Sequence, residues 1–250
     1  METNLEFNSW VPKKMIAIPL ALSAVFSGCA FIHWAFLVPG VLLLICGVYM
    51  AVMRKKFSTK GENIQGQVQN LVVEHIEWSG NGKVLDIGCG NGPLSIKIAQ
   101  KFPSAQITAI DYWGKGWDYS QKECEANAKA AKIADRITFQ HASASKLPFD
   151  DDSFDLVVSN LTFHEVNDTP SKLTALQEAM RVLKPGGTFV LQDLFLLKPY
   201  FGTPEELTAA VRSWGVSDVD FIVTRDAPFI PRGAKLGFML GGLSMLKGKK

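Results

Sequence analysis

The run Val84-Leu85-Asp86-Ile87-Gly88-Cys89-Gly90-Asn91-Gly92 has the residue types and spacing of a ligand cradle: an acid, then three glycines at alternate positions, then Pro93. Glycine lets the backbone turn sharply and lets a ligand lie against main-chain N–H groups with no Cβ in the way. Proline suits the first helical position, where its missing N–H costs nothing. The run therefore reads as a strand ending in a tight loop that opens onto a helix; a purely structural strand–helix turn is the plain alternative. A second acid, Asp111, closes the apolar run Gln106–Ile110, 25 residues after Asp86. A carboxylate at such a strand end can accept both hydroxyls of a ribose, which points to an adenosine-containing ligand. Two other nucleotide loops are disfavoured. A dinucleotide fingerprint needs its third glycine where Pro93 stands, and no Gly-x-x-x-x-Gly-Lys-Ser/Thr loop occurs.

Those residues need a sheet to position them. Apolar spacing predicts a helix over 64–78, a first strand over 83–87 and a helix over 93–101. Strands then follow at 106–110, 136–141, 154–159, 188–192 and 219–224, with helices at 120–134, 172–183 and 205–214. Asp168 or Thr169 would cap the helix at 172–183. Strands alternating with helices imply a parallel sheet with helices on both faces, and a ligand beyond the carboxyl ends of its strands.

Four landmarks now stand in order. Asp86-x-Gly88-x-Gly90-x-Gly92 resembles the first motif of class I S-adenosylmethionine-dependent methyltransferases. Asp111 falls where that family has its second. The segment 147–158, from Leu147-Pro148-Phe149 through Phe154-Asp155-Leu156, resembles the stretch joining its third and fourth strands, and the segment 178–188, with Lys184-Pro185-Gly186-Gly187, the turn before its fifth. The resemblance runs from about residue 64 to 195 and covers the cofactor half well and the substrate half poorly. It implies an α/β, Rossmann-like, mostly parallel seven-stranded sheet and S-adenosylmethionine as cofactor. It also implies that Gly88, Gly90 and Gly92 hold the methionine part, with Asp86 near its amino group. Asp111 would take the ribose, Tyr112 would flank the adenine, and Asn160 and Leu161 would lie near the sulfonium. Where the family often has an acid for the adenine amino group, this chain has Ser143, followed by Ala144. A serine hydroxyl still accepts a hydrogen bond, though without charge assistance.

Methyl transfer is an in-line displacement, so the protein mainly aligns nucleophile, methyl and sulfur. An oxygen, nitrogen or carbon nucleophile can also need a base. His164, just after the fourth strand, is the best-placed imidazole, either as that base or as a hydrogen-bonded residue shaping the pocket. Glu165 would orient it or face water. No metal is expected: three consecutive side chains, Asp150 to Asp152, cannot converge on one ion and read as a solvated turn.

The remainder of the chain has another character. From Met15 to Met53 there is no Asp, Glu, Lys or Arg. One helix of that length would be about 58 Å, roughly twice the hydrocarbon core of a bilayer. The reading is a membrane anchor over residues 1–56, a transmembrane hairpin with helices at about 15–32 and 35–53, followed by the enzymatic domain over 57–250. A re-entrant hairpin and a buried soluble hairpin are the alternatives. Lys13-Lys14 and Arg54-Lys55-Lys56 flank the run, which places both ends, and the catalytic domain, in the cytoplasm. Phe26-Ser27-Gly28-Cys29 loosely resembles a lipoprotein processing site, but the apolar run continues past it. Four cysteines without a Cys-x-x-Cys pair argue against a disulfide framework or a zinc site. A net charge of +2 is too small to suggest bulk nucleic-acid binding. Residues 238–247 are expected to form the last strand, inserted antiparallel; a membrane-surface contact of the basic segment 225–250 is the alternative.

The expected protein is thus a membrane-tethered methyltransferase acting on a lipid-soluble or membrane-resident acceptor. The rivals are a methyltransferase for a soluble molecule, a cofactor-binding membrane sensor or scaffold without turnover, and a nicotinamide-dependent reductase, which the glycine spacing disfavours.

Overall fold

The computed structural model describes residues 5, 7–114 and 119–250. They divide into two compact units, one within Phe7–Gly66 and one within residues 67–250.

In the first unit, α1 (Lys14–Cys29) and α2 (Leu37–Phe57) lie antiparallel, with a short 3-10 turn, Trp34–Phe36, leading into α2. His33 makes the reversal: its Nδ1 accepts the N–H of Ala35 at 3.2 Å. Gly40 and Gly47 let the helices approach closely. A Cβ at Gly47 would stand 2.6 Å from the Leu20 side chain, and the Ser23 hydroxyl donates to the Gly40 carbonyl at 2.7 Å. The outer faces are apolar and exposed, Leu42 and Ile45 among them. The two helices are unequal. Trp34–Phe57, 24 residues, is long and apolar enough to cross a membrane, whereas Lys14–Cys29 is shorter. At 1.5 Å per residue, the 16 residues of α1 span about 24 Å, short of a ~30 Å hydrocarbon core. The structure thus has one helix of spanning length where two crossings were expected, because α1 stops at Cys29 rather than Ile32.

The second unit follows the expected alternation. After α3 (Ile64–Glu74) come β1 (Gly82–Ile87), α4 (Pro93–Lys101), β2 (Ala105–Asp111), α5 (Gln121–Ala130), β3 (Ile137–His141) and β4 (Phe154–Asn160). Then follow α6 (Leu173–Val182), β5 (Leu183–Asp193), α7 (Lys198–Phe201), α8 (Pro204–Ser213), β6 (Asp218–Val223) and β7 (Ser244–Lys249). The strand order is β3-β2-β1-β4-β5-β7-β6. The first five pair in parallel, but β7 pairs antiparallel with both β5 and β6. The seven-stranded sheet is therefore mixed rather than mostly parallel. Helix α4 packs on β2, α5 on β3, α6 on β5 and α8 on β6. The core gathers Leu85, Ile87, Val157, Leu176, Met180 and Phe189.

Several local expectations shift. β5 already starts at Leu183, with Leu183 opposite Phe154, so the glycine pair at 186–187 lies within the strand's span. The last strand is 244–249 rather than 238–247. Helix α6 is preceded by Lys172 without a side-chain cap, so neither Asp168 nor Thr169 caps it. The segments 147–153 and 178–181 clamp each other. Arg181 bonds Glu178 at 2.7 Å and the carbonyls of Phe149 and Leu147 at 2.8 and 3.1 Å, while Glu178 accepts the Leu147 N–H. The aspartates go separate ways, Asp151 to Arg181 and Asp152 to Lys250. Two of the basic residues near the chain's end are engaged within this unit, Lys247 with Glu77 and Lys250 with Asp152, both at 2.7 Å.

Candidate functional site

The residues singled out by type and spacing meet at the carboxyl ends of β1, β2, β4 and β5. The glycine loop leaves β1 with Gly88, Gly90 and Gly92 all at positive φ, between 60° and 87°. Left-handed backbone is steric strain for any residue with a Cβ. At Gly88 the space is closed as well: a Cβ would stand 2.0 Å from the Thr162 hydroxyl. The N–H groups of Gly88 and Cys89 both donate to the Ile110 carbonyl, at 2.8 and 2.9 Å, which ties the loop to β2. Gly92 then precedes Pro93, and α4 starts with its N-terminus beside the loop.

Asp86, the last but one residue of β1, is almost fully buried. Its Oδ2 accepts the Ser95 hydroxyl at 2.5 Å, and its Oδ1 has no partner. Burial pushes the carboxyl up to about 7, against the pull of the Ser95 hydrogen bond. Asp111, at the end of β2, accepts the Gly90 N–H at 2.9 Å on Oδ2 and the Trp113 N–H at 2.7 Å on Oδ1. Burial raises its carboxyl too, opposed by those backbone donors. Tyr112 is exposed, its ring tilted 5.1 Å from that of His141.

Trp113, Cys124 and Tyr119 also belong to this wall, and spacing alone did not single them out. The indole of Trp113 and the thiol of Cys124 both donate to the Gly90 carbonyl, at 2.8 and 3.1 Å. The Tyr119 ring lies 3.6 Å from where a Gly90 Cβ would be. Ala144 is buried, and Ser143 bonds Ser145 at 2.9 Å and donates to the carboxylate of Asp168. An acid thus stands behind the position where a serine replaces one, supplied from 25 residues away. The Ser143 hydrogen bond holds Asp168 below the usual carboxylate range.

Beyond β4, the Asn160 Oδ1 accepts from the Gln192 side chain at 2.9 Å, and Leu161 turns through a left-handed φ of 57°. His164 follows, 17% exposed at its side chain, with Nδ1 2.6 Å from the Asp193 Oδ1. Its Nε2 lies 3.5 Å from Glu165. Burial pulls this imidazole down, but the Asp193 and then the Glu165 carboxylates outweigh it and raise the pKa to about 10. Asp193 was missed in the sequence; its one signal is its place directly after an apolar strand. Among the described residues no group of three or more His, Cys, Asp or Glu could hold a metal. An open cavity of about 380 Å³, lined by Lys83, Gln106, Thr108, Thr138 and Ser153, lies at the amino ends of the strands, away from these groups.

The strand ends thus carry the carboxylates of Asp86 and Asp111, three glycines at positive φ, and a histidine paired with Asp193. Residues 85–191 match the family described as "Methyltransferase domain". The chain is 40% identical over 120 residues to a 27-O-demethylrifamycin SV methyltransferase of Amycolatopsis mediterranei, covering 47% of this chain and 40% of that protein. It is 34% identical over 126 residues to the ubiquinone/menaquinone biosynthesis C-methyltransferase UbiE of Geotalea daltonii, covering 50% and 51%. The chain therefore spans about half or less of these relatives' own lengths. In fold it is similar to geranyl diphosphate C-methyltransferase from Streptomyces coelicolor, solved with S-adenosyl-L-homocysteine. The TM-score is 0.57 at 12% identity, over 79% of this chain and 80% of that one.

Proposed function

We propose, from the premise that residues 85–191 are a methyltransferase domain whose cofactor is S-adenosylmethionine, that the whole protein methylates an apolar, lipid-soluble acceptor from a membrane anchor. The observation that carries the cofactor assignment is the orphaned, buried Oδ1 of Asp86 beside three positive-φ glycines. A buried carboxylate oxygen without a donor is costly, and an α-ammonium would satisfy it. Asp111 would accept the ribose hydroxyls. Tyr112, Ser143 and Ala144 would border the adenine, and Asn160 and Leu161 would border the sulfonium end. S-adenosylmethionine supplies an electrophilic methyl on sulfur; the protein holds the acceptor in line and handles its proton. His164 is assigned to that proton, since it follows Asn160 and Leu161 in the segment after β4.

The acceptor class rests on two supports. Trp34–Phe57 has spanning length, and its last turn carries Arg54-Lys55-Lys56, a pattern that supports a cytoplasmic catalytic domain by the positive-inside rule. The similar protein named for ubiquinone/menaquinone biosynthesis points to an apolar acceptor, a chemistry that we carry over to this chain.

The test uses the full-length protein, methyl-labelled cofactor and total lipid extract, beside a chain shortened to begin at Thr59. The full-length protein is expected to label a lipid in vesicles, and the shortened one to do so poorly until the lipid is dispersed in detergent. Equal labelling of a water-soluble acceptor by both, with nothing in the lipid fraction, would sink the acceptor assignment. A cysteine placed at residue 58 should resist an impermeant reagent added to intact cells; labelling from outside would overturn the cytoplasmic placement.

A further inference from the structure

The carboxylate of Asp193, fully buried at the end of β5, has all its contacts inside the protein. Its Oδ2 accepts the N–H groups of Thr162 and Phe163, at 2.9 and 2.6 Å. Its Oδ1 accepts the N–H of Leu194 and faces Nδ1 of His164, each at 2.6 Å. With three N–H groups already donating to it, this carboxylate can only accept from the ring, so His164 carries hydrogen on Nδ1. Nε2 is left as the nitrogen that gains or loses a proton.

The neighbour of Nε2 is a second carboxylate of opposite freedom. Glu165 sits on the same short turn with Oε1 3.5 Å from Nε2, and its side chain is 48% exposed. From the start of α6, Lys172 acts electrostatically on Glu165 and donates to the Val166 carbonyl and, at 2.8 Å, to Asn167. Asp193 from β5, Glu165 from the turn and Lys172 behind Glu165 are the charges arranged around this imidazole. Asp193 is fastened by four contacts, while the half-exposed Glu165 has the His164 ring and the charge of Lys172 as its neighbours.

We propose that His164 is a switched proton acceptor: Asp193 is the positioning residue that fixes the ring with Nδ1 protonated, and Glu165 keeps a proton on Nε2 until the acceptor takes its place. This rests on the placement of His164 beside the acceptor. The sequence of events balances. As the acceptor enters, Glu165 turns toward Lys172 and the Nε2 proton passes to water. The acceptor's O–H or acidic C–H then gives its proton to Nε2 while its electron pair forms the bond to the methyl carbon and the carbon–sulfur bond breaks. Glu165 returns to the protonated ring after product leaves. A base of this kind stays charged, and unreactive, while the site lacks an acceptor.

The experiment is a histidine ¹⁵N NMR titration of the full-length protein and of Glu165→Gln, with pH profiles of turnover alongside. Glu165 is half exposed, so the variant should fold, and unchanged cofactor affinity checks this. The expected result is a His164 ring doubly protonated in the wild type at neutral pH. In Glu165→Gln its proton affinity should be at least tenfold lower, with hydrogen retained on Nδ1 in the neutral form. The acidic limb of the turnover profile should move down in step. An unchanged titration in Glu165→Gln, or a neutral ring protonated on Nε2, would overturn the proposal. Asp193→Asn, if folded, should scramble the tautomer; if it does not fold, the first two proteins still decide. Wild-type turnover in His164→Ala would remove the ring from the reaction while leaving the methyltransferase reading standing. Absence of methyl transfer in the wild type with every acceptor offered would instead strike that reading, and the ring titration would still report on Glu165.

Discussion

Asp86 sets up a pH dependence that cofactor binding must show if the strand-end site is read correctly. Its carboxyl is buried, one oxygen has only Ser95 and the other has nothing, and its pKa stands at about 7. An α-ammonium ligand needs the ionised form. Below pH 7 the free protein holds a proton that binding must expel, so affinity should fall about tenfold, or ~1.4 kcal/mol, for each pH unit. The ligand's own α-amino group titrates near 7.7–8 (roughly), so the clean window is the acid side. Titration calorimetry with S-adenosylhomocysteine, in two buffers of different ionisation enthalpy, measures both affinity and protons released. Release should approach about one proton well below pH 7. Asp86→Asn should bind weakly and lose this slope. The same shift acts on folding with a defined sign. A carboxyl raised from 3.8 to about 7 in the folded protein favours folding fully below 3.8, and that contribution is lost as pH rises to 7. Asp86→Asn should therefore be more stable than the wild type in the ligand-free state at neutral pH. Cofactor affinity that is flat from pH 7 down to 5.5 would refute the pairing of Asp86 with an ammonium.

Other expectations are simpler. Asp111→Ala removes the proposed ribose acceptor and unpairs the Gly90 and Trp113 N–H groups; calorimetry should show a loss on the order of 1.5–3 kcal/mol in cofactor binding. Gly88→Ala places a Cβ 2.0 Å from the Thr162 hydroxyl at a φ of 75°, and should lower the melting temperature markedly. Gly90→Ala meets only the Tyr119 ring at an ordinary 3.6 Å, so denaturant unfolding should show the left-handed strain alone, about 1–2 kcal/mol.

The alternation of strands and helices was legible because each element carried its own period and its own stops. Gly92-Pro93 started α4, and the apolar runs 84–87, 107–110 and 154–158 left little choice of strand. What escaped was set by partners distant in sequence. The stretch 233–246 mixes glycine with Leu, Met and Phe without a period of two, so nothing local fixed the start of β7 at Ser244; its two antiparallel partners did. The glycine pair at 186–187 reads as a turn, and it lies in a break of register between Leu183 and Thr188, with Gly186 at a φ of 75°; only the pairing of Leu183 with Phe154 extends β5 back across it. In the first unit the expected helices at about 15–32 and 35–53 left the reversal at His33-Trp34, where it is found; what the uncharged run did not mark is the end of α1 at Cys29, which leaves Trp34–Phe57 as the helix of spanning length. At the site, the glycines and acids of β1 and β2 declared themselves by spacing. Asp193 and Asp168 did not, since each matters only through a side chain that folding brings to it, His164 and Ser143.

The two buried acids at the ends of β1 and β5 show how a binding carboxylate differs from a positioning one. Both are almost inaccessible to water, so each depends on hydrogen bonds or a charge to be tolerated. Asp193 is complete: three backbone N–H groups and an imidazole surround its two oxygens, and another partner would have to displace one of them. Such a group holds a turn and a ring in place, and truncating it would leave three buried donors unpaired. Asp86 is incomplete. Folding gives it one hydroxyl, leaves an oxygen without a donor and raises its pKa, a cost that a bound cation would remove. The difference predicts opposite responses to a carboxylate-to-amide change. Asp86→Asn should gain stability and lose cofactor, while Asp193→Asn should lose stability and change the ionisation of His164. Unfolding curves of the two variants would read this contrast before any substrate is known.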